Sequence, residues 1–331
     1  RAFWILDDLT PLQQLSGKVA SSDLYLFKPR AAYRMRRGGF ATRGVGQNPP
    51  HGVIVQYYFR EETEEEVTLE FLDGDGRSIN SFKSGPQKTR PAPDPVTAFF
   101  VGGGSRQQSL FTRAGMNRFV WDMRHPDGVE APGGSILFGG SVRGPLVVPG
   151  TYQVRLTAGG RSLTERFEIR KDPRLPTTQE DFEEQFALLM RIRHRVSEAH
   201  QAAQRILTTL KQLEAAEARA RRVRESGSVL VAAKELKEKL TGILDELVQL
   251  KIRRGNDVLS FPVKLNNEIS SIGRVVASSD TRPTDQAHDA LNELSAALDV
   301  QLEGLKEVME EALPAFNQLL LERKVPGVSP R

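Results

Sequence analysis

The chain has 331 residues, 27% of them charged and 39% hydrophobic, with a net charge of +4 and no cysteine. That length exceeds one ordinary hydrophobic core, so two or three domains are expected. The composition excludes a disordered chain, the missing thiols exclude disulfides and thiolate metal sites, and no apolar run reaches the roughly 18 residues of a membrane-spanning helix.

The opening run "AFWILDDL" (2–9) reads as an apolar strand. It has no initiator Met before it, and the chain is expected to be a piece of a longer protein. Seven more short strands follow: "DLYLFKP" (23–29), "GVIVQYYF" (52–59), "EVTLEFLD" (66–73), "SINSFKS" (78–84), "NRFVWDMR" (117–124), "GTYQVRLTA" (150–158) and "LTERFEIR" (163–170). They are rich in Val, Ile, Tyr and Phe or alternate with period two; Val67, Leu69 and Phe71 share one face. "DGDG" (73–76) and "AGG" (158–160) supply tight turns. Short strands of this number predict an Ig-like or fibronectin-like β-sandwich. The Gly/Pro-rich segments 85–95, 101–106 and 126–149 are expected to loop over its ends.

The composition changes at "KDPRLPTTQEDF" (171–182), where two prolines end the last strand and Thr177 or Thr178 caps a helix, with Glu180 and Asp181 in its first turn. Beyond it, 22 Lys and Arg stand against 24 Asp and Glu from Thr177 onward, so the positive excess belongs to the first half. Apolar residues step at three and four from Phe182 to Leu213, predicting a helix over about 178–224, on the order of 70 Å long. Similar stripes run from Leu230 to Leu250 and from Leu291 to Leu320, with a shorter helix over 263–277 and a kink at Pro314. The expected fold is α+β and multidomain: residues 1–20 an apolar strand and linker, 21–174 the sandwich, 175–331 an elongated antiparallel bundle of about four helices.

No catalytic constellation stands out. His194 and His200 are six apart, the wrong spacing for a zinc helix, and read as exposed helix histidines; the same holds for His51, His125 and His288 as ligands. Asp7 and Asp8 are neighbours on a strand and point to opposite faces, so they cannot flank one glycosidic bond. "FVGGGSR" (100–106) has glycines but no following helix to cradle a phosphate. The chain is expected to be non-catalytic, without cofactor or metal. The basic stretch "FKPRAAYRMRRGGF" (27–40) is the candidate binding surface. Lys28, Arg30, Arg34, Arg36 and Arg37, interleaved with Tyr33, suit an anionic polymer or a carboxylated sugar. The alternative is a solvated basic edge paired with "EETEEE" (61–66).

"RAFWILDDLTPL", "LYLFKPRAAYR", "NPPHGVIVQYYF", "GMNRFVWDMRHP" and "VPGTYQVRLTAGG" together resemble the extension that follows sortilin-type and sialidase-like β-propellers of bacterial envelope proteins. The sandwich part is also similar to the Ig-like module of flagellar hook-cap proteins, and "DPRLPTTQEDFEEQFALL" to the helical end of those extensions. The resemblance implies that "AFWILDDL" is the exit strand of a propeller and that Trp4, Trp121 and Tyr152 are core. It further implies that Asp122 orders the following turn through backbone hydrogen bonds. It implies an extracytoplasmic accessory module for docking, spacing or protein–protein interaction, with its own propeller or another envelope protein as partner. The alternatives are a carbohydrate or anionic-polymer binding module, with an acidic glycan as partner, and the trailing part of a glycoside hydrolase whose chemistry lies upstream. No nucleic acid and no transmembrane segment are expected, and the helical stripes allow a homo-oligomer.

Overall fold

Alternation builds the first half. The computed structural model describes residues 8–35, 50–85, 110–222 and 227–328. Strand β3 (Val53–Phe59) buries every second side chain, Val53, Val55, Tyr57 and Phe59, as a half-buried pleat does. It lies between β1 (Leu24–Leu26) and β6 (Gly115–Trp121), both antiparallel to it. A five-stranded sheet runs in the order β2 (Ala32–Arg34), β8 (Arg161–Lys171), β7 (Gly150–Ala158), β4 (Thr68–Leu72) and β5 (Ser78–Lys83). The β2–β8 pair is parallel and the others are antiparallel. Two short helices, α1 (Thr10–Gln13) and α2 (Gly17–Ser21), precede β1.

The two sheets share one core. Phe71 of β4 stacks on Trp121 of β6 with ring centres 4.3 Å apart, and Tyr152 of β7 meets Trp121 edge-on at 6.2 Å. Burying aromatics of this size contributes roughly 1.5–3 kcal/mol each. Their polar ends are satisfied by backbone: Trp121 Nε1 donates to the Arg124 carbonyl at 3.1 Å, and the Tyr152 hydroxyl to Val148 at 2.6 Å. Burial pushes the Tyr152 phenol up to about 12. Gly52 adopts a φ of +134°, and a Cβ there would lie 2.1 Å from the Trp121 carbonyl oxygen, so only glycine lets β3 enter beside β6.

Thr178 caps the first long helix, α3 (Gln179–Ala220): its hydroxyl accepts from the Asp181 N–H and its own N–H donates to the Asp181 carboxylate. At 42 residues α3 is about 63 Å long. Helices α4 (Gly227–Leu247), α5 (Leu265–Val276), α6 (Asp285–Glu307) and α7 (Leu313–Glu322) follow. Their contacts give their directions. α4 starts at Gly227, shortly after α3 ends, and its Lys237 meets Glu217; Asn266 of α5 meets His200 and Val276 at its other end meets Gln185, so both run antiparallel to α3, one along each half of it. Arg191 meets Asn292 and Arg195 meets the Ser295 carbonyl, so α6 runs parallel to α3.

The architecture is therefore mixed α+β, sheets followed by a helical bundle, as expected. Among the described residues α4 and α5 are successive pieces along α3, separated over 248–264 by "RRGND" and Pro262. A π-helical turn at Val308–Ala312 lies between α6 and α7. Pro314 follows it and has no N–H for the Glu310 carbonyl, which accounts for the local widening.

The segment 126–145 also departs from expectation. It does not loop over an end of the sheets but lies as a strap along the bundle. Leu137 enters the helical core, Ile136 N–H donates to the Ile252 carbonyl between α4 and α5, and Phe138 exchanges two hydrogen bonds with the Asn267 amide. Pro and Gly in the sequence marked an irregular backbone correctly, but irregular backbone can still be buried when side chains satisfy it. The expected strand at 2–9 mostly lies outside the described residues, as do Trp4 and Asp7. Asp8 and Leu9 belong to no strand, Leu9 has a helical backbone (φ −90°, ψ −6°), and the chain enters α1 at Thr10.

Candidate docking groove and the buried lock behind it

Strand β2 is three residues long, and its alternation divides the candidate surface. Tyr33 points outward and is 44% exposed, while Arg34 points inward and is 3% exposed. Arg34 is thus removed from the binding surface. Its guanidinium contacts Asp280 at 2.8 Å, donates to the Val147 carbonyl at 3.0 Å and to Gln185 Oε1 at 2.7 Å, and lies 4.7 Å from the centre of the Phe182 ring. Gln185 in turn donates to the carbonyls of Val276, Ser279 and Thr281, and the Thr177 hydroxyl donates to the Asp280 carbonyl at 2.6 Å. One side chain from the sheet thereby holds the first turns of α3 and the α5–α6 turn. Asp280 Oδ2 is buried without a hydrogen-bond partner among the described residues.

His200 is a second buried polar centre and corrects the expectation of an exposed histidine. Its ring is fully buried on α3, with Nδ1 2.6 Å from the Val129 carbonyl of the strap and Nε2 3.0 Å from Asn266 Nδ2. A carbonyl only accepts, so Nδ1 carries the proton and Nε2 accepts from the amide. The ring is neutral, and burial lowers its pKa. His125, on the Phe186 ring at 4.9 Å, is likewise lowered by burial and by Arg193. Asp122 takes Arg143 at 3.0 Å rather than backbone N–H groups; the Asp127 carboxylate serves the turn instead, accepting from Gly144 N–H at 2.8 Å.

In front of the lock lies an open groove of about 560 Å³ between α1 and the outer face of β8. Lys28 and Arg30 form one wall. The opposite wall is the outward row of β8, Arg166, Glu168 and Arg170, beside Thr151 of β7. Gln14 fixes the Lys28 wall by pairing with both the N–H and the carbonyl of Lys28, at 2.9 and 3.0 Å. Arg170 is bound to Glu168 at 2.6 Å and lies beside Tyr33, its register neighbour on β2. Arg30 faces Asp8 at 3.8 Å. Lys28, Arg30 and Tyr33 thus stay at or beside one surface; Arg36 and Arg37 lie outside the described residues. The sequence reading missed Arg166 and Arg170. Their signal was the period-two alternation of "ERFEIR", which puts Phe167 and Ile169 inside and the charges outside.

Among the described residues no group of three or more His, Asp and Glu could hold a metal ion. No described helix is long and apolar enough to cross a membrane. No family model matches the sequence, and no curated protein matches it. A solved structure named pT26-6p aligns with 84% of this chain and 48% of its own length, at 10% identity and a TM-score of 0.15. The chain spans about half the length of that structure, and a likeness of this size carries no argument.

Proposed function

We propose that the chain is a non-catalytic accessory module that docks and spaces a larger envelope protein, outside the cytoplasm, with the β-propeller implied by the sequence resemblance as its partner. We further propose that its β unit is an Ig-like, fibronectin-like sandwich. Two observations support that assignment: the strand orders β1-β3-β6 and β2-β8-β7-β4-β5, and the Tyr152 hydroxyl bonded to backbone four residues upstream, near the start of β7.

The observation that carries the spacing role is the lock. A spacer must transmit position, and the Arg34 network joins the sheets to a bundle whose first helix alone is about 63 Å long. Spin labels on the exposed positions Ser78 of β5 and Leu321 of α7 test it. A rigid spacer gives one narrow distance distribution, and a broad or multiple distribution refutes the spacing role.

A further inference from the structure

We propose that the groove between α1 and β8 binds an acidic polysaccharide of the uronate type, in which carboxylates alternate with hydroxyl-bearing positions. This does not depend on the spacing role. Lys28, Arg30, Arg166 and Arg170 converge on one open groove of about 560 Å³, within the roughly 300–1,000 Å³ typical of ligand sites. Among the described residues Lys28 and Arg166 carry no ion pair, so an incoming carboxylate displaces no internal partner there.

The remaining lining selects among anions. Thr10 and Thr151 add hydroxyl-bearing side chains to the lining, and Glu168 keeps a carboxylate on the β8 wall between Arg166 and Arg170. A dense polyphosphate or nucleic acid meets the Glu168 carboxylate as a like charge. An acidic peptide brings carboxylates with few hydroxyl donors. A uronate polymer brings carboxylates for the guanidinium groups, which receive them in bidentate geometry, and hydroxyls that donate to Glu168. Tyr33 adds an exposed ring at the rim beside Arg170, an apolar face for the sugar C–H groups.

The test is titration of the full chain with polygalacturonate, neutral galactan and poly-glutamate. Binding of polygalacturonate alone is expected, weakening steeply between roughly 50 and 500 mM salt as exposed ion pairs are screened. The double variant R166Q/R170Q, whose side chains are solvent-facing, is expected to bind at least about tenfold more weakly. K28Q is expected to weaken binding less, and R155Q, on the same sheet outside the groove, to leave it unchanged. Far-UV circular dichroism verifies the fold of each variant. No binding of polygalacturonate, equal binding of galactan, equal or tighter binding of poly-glutamate, or unaltered binding by folded R166Q/R170Q overturns the proposal.

Discussion

The guanidinium of Arg34 and the carboxylate of Asp280, 246 positions apart in the chain, meet at 2.8 Å with 3% and 4% of their side chains exposed. Strand β2 is too short to hold itself by its ladder alone, and this contact fixes both its place on β8 and the seat of the bundle. A buried pair gains little net stability over an apolar pair but is costly to break on one side.

Replacing one partner therefore strands a buried charge. Arg34→Met or Asp280→Leu is expected to lower unfolding stability by about 3–5 kcal/mol, and the double variant by clearly less than the sum of the two. Urea denaturation of the four proteins completes the cycle. Additive losses would show that the two residues act separately.

Acid should loosen the strap. The His200 pKa is lowered in the folded state by burial, from an ordinary 6.5. The unfolded chain thus binds the proton first, so stability is full above pH 6.5 and falls as the pH drops below it, by up to about 1.4 kcal/mol per pH unit until the folded ring titrates. His125 is lowered in the same direction. Protonated His200 would also turn an N–H on the Asn266 amide. Chemical denaturation at pH 7.5 and 5.0 should show a larger drop for the parent than for His200→Gln; equal drops would remove His200 from the linkage.

At Gly140 the strap lies against α5. A Cβ there would fall 1.8 Å from Ser270 Oγ and 2.8 Å from Ser270 Cβ. Gly140→Ala should cost about 1–3 kcal/mol, as overpacking does, and expose 126–145 to protease. Ser270→Gly should restore most of the loss. Gly17→Ala, which meets nothing within 4 Å, is the control, and an equal effect there would refute steric conflict as the cause.

Long-period features were legible in the sequence and short-range choices were not. The stripes from Phe182 to Leu213 and from Leu291 to Leu320 marked their rods because each repeats over many turns. His200 was missed although it sits four residues after Val196, on that same buried stripe; it was weighed as a ligand instead of as a stripe position. Strand β2 left no pattern, because Ala32–Arg34 covers only one alternation and lies among cations. That is why Arg34 was read with the surface residues Lys28 and Arg30. The strap was read as loop because burial of irregular backbone depends on distant partners, Asn267 and Ile252, that no local pattern announces. The direction of α5 likewise depends on His200 and Asn266 meeting across 66 positions.

The Tyr152 hydroxyl is a smaller test of the sheet core. Tyr152→Phe keeps the ring against Trp121 and leaves the Val148 carbonyl without its donor, at an expected cost of about 0.5–1.5 kcal/mol in thermal or urea unfolding. A loss as large as that of Trp121→Ala, about 3–5 kcal/mol, would mean that the ring had moved as well.

The central claim is that sheets and bundle form one locked body. It is tested most directly by following urea unfolding with two probes on one sample: Trp121 fluorescence in a Trp4→Phe background for the sheet core, and circular dichroism at 222 nm for the helices. The lock predicts coincident transitions in the parent and separated ones in Arg34→Met. Transitions that already separate in the parent would contradict it.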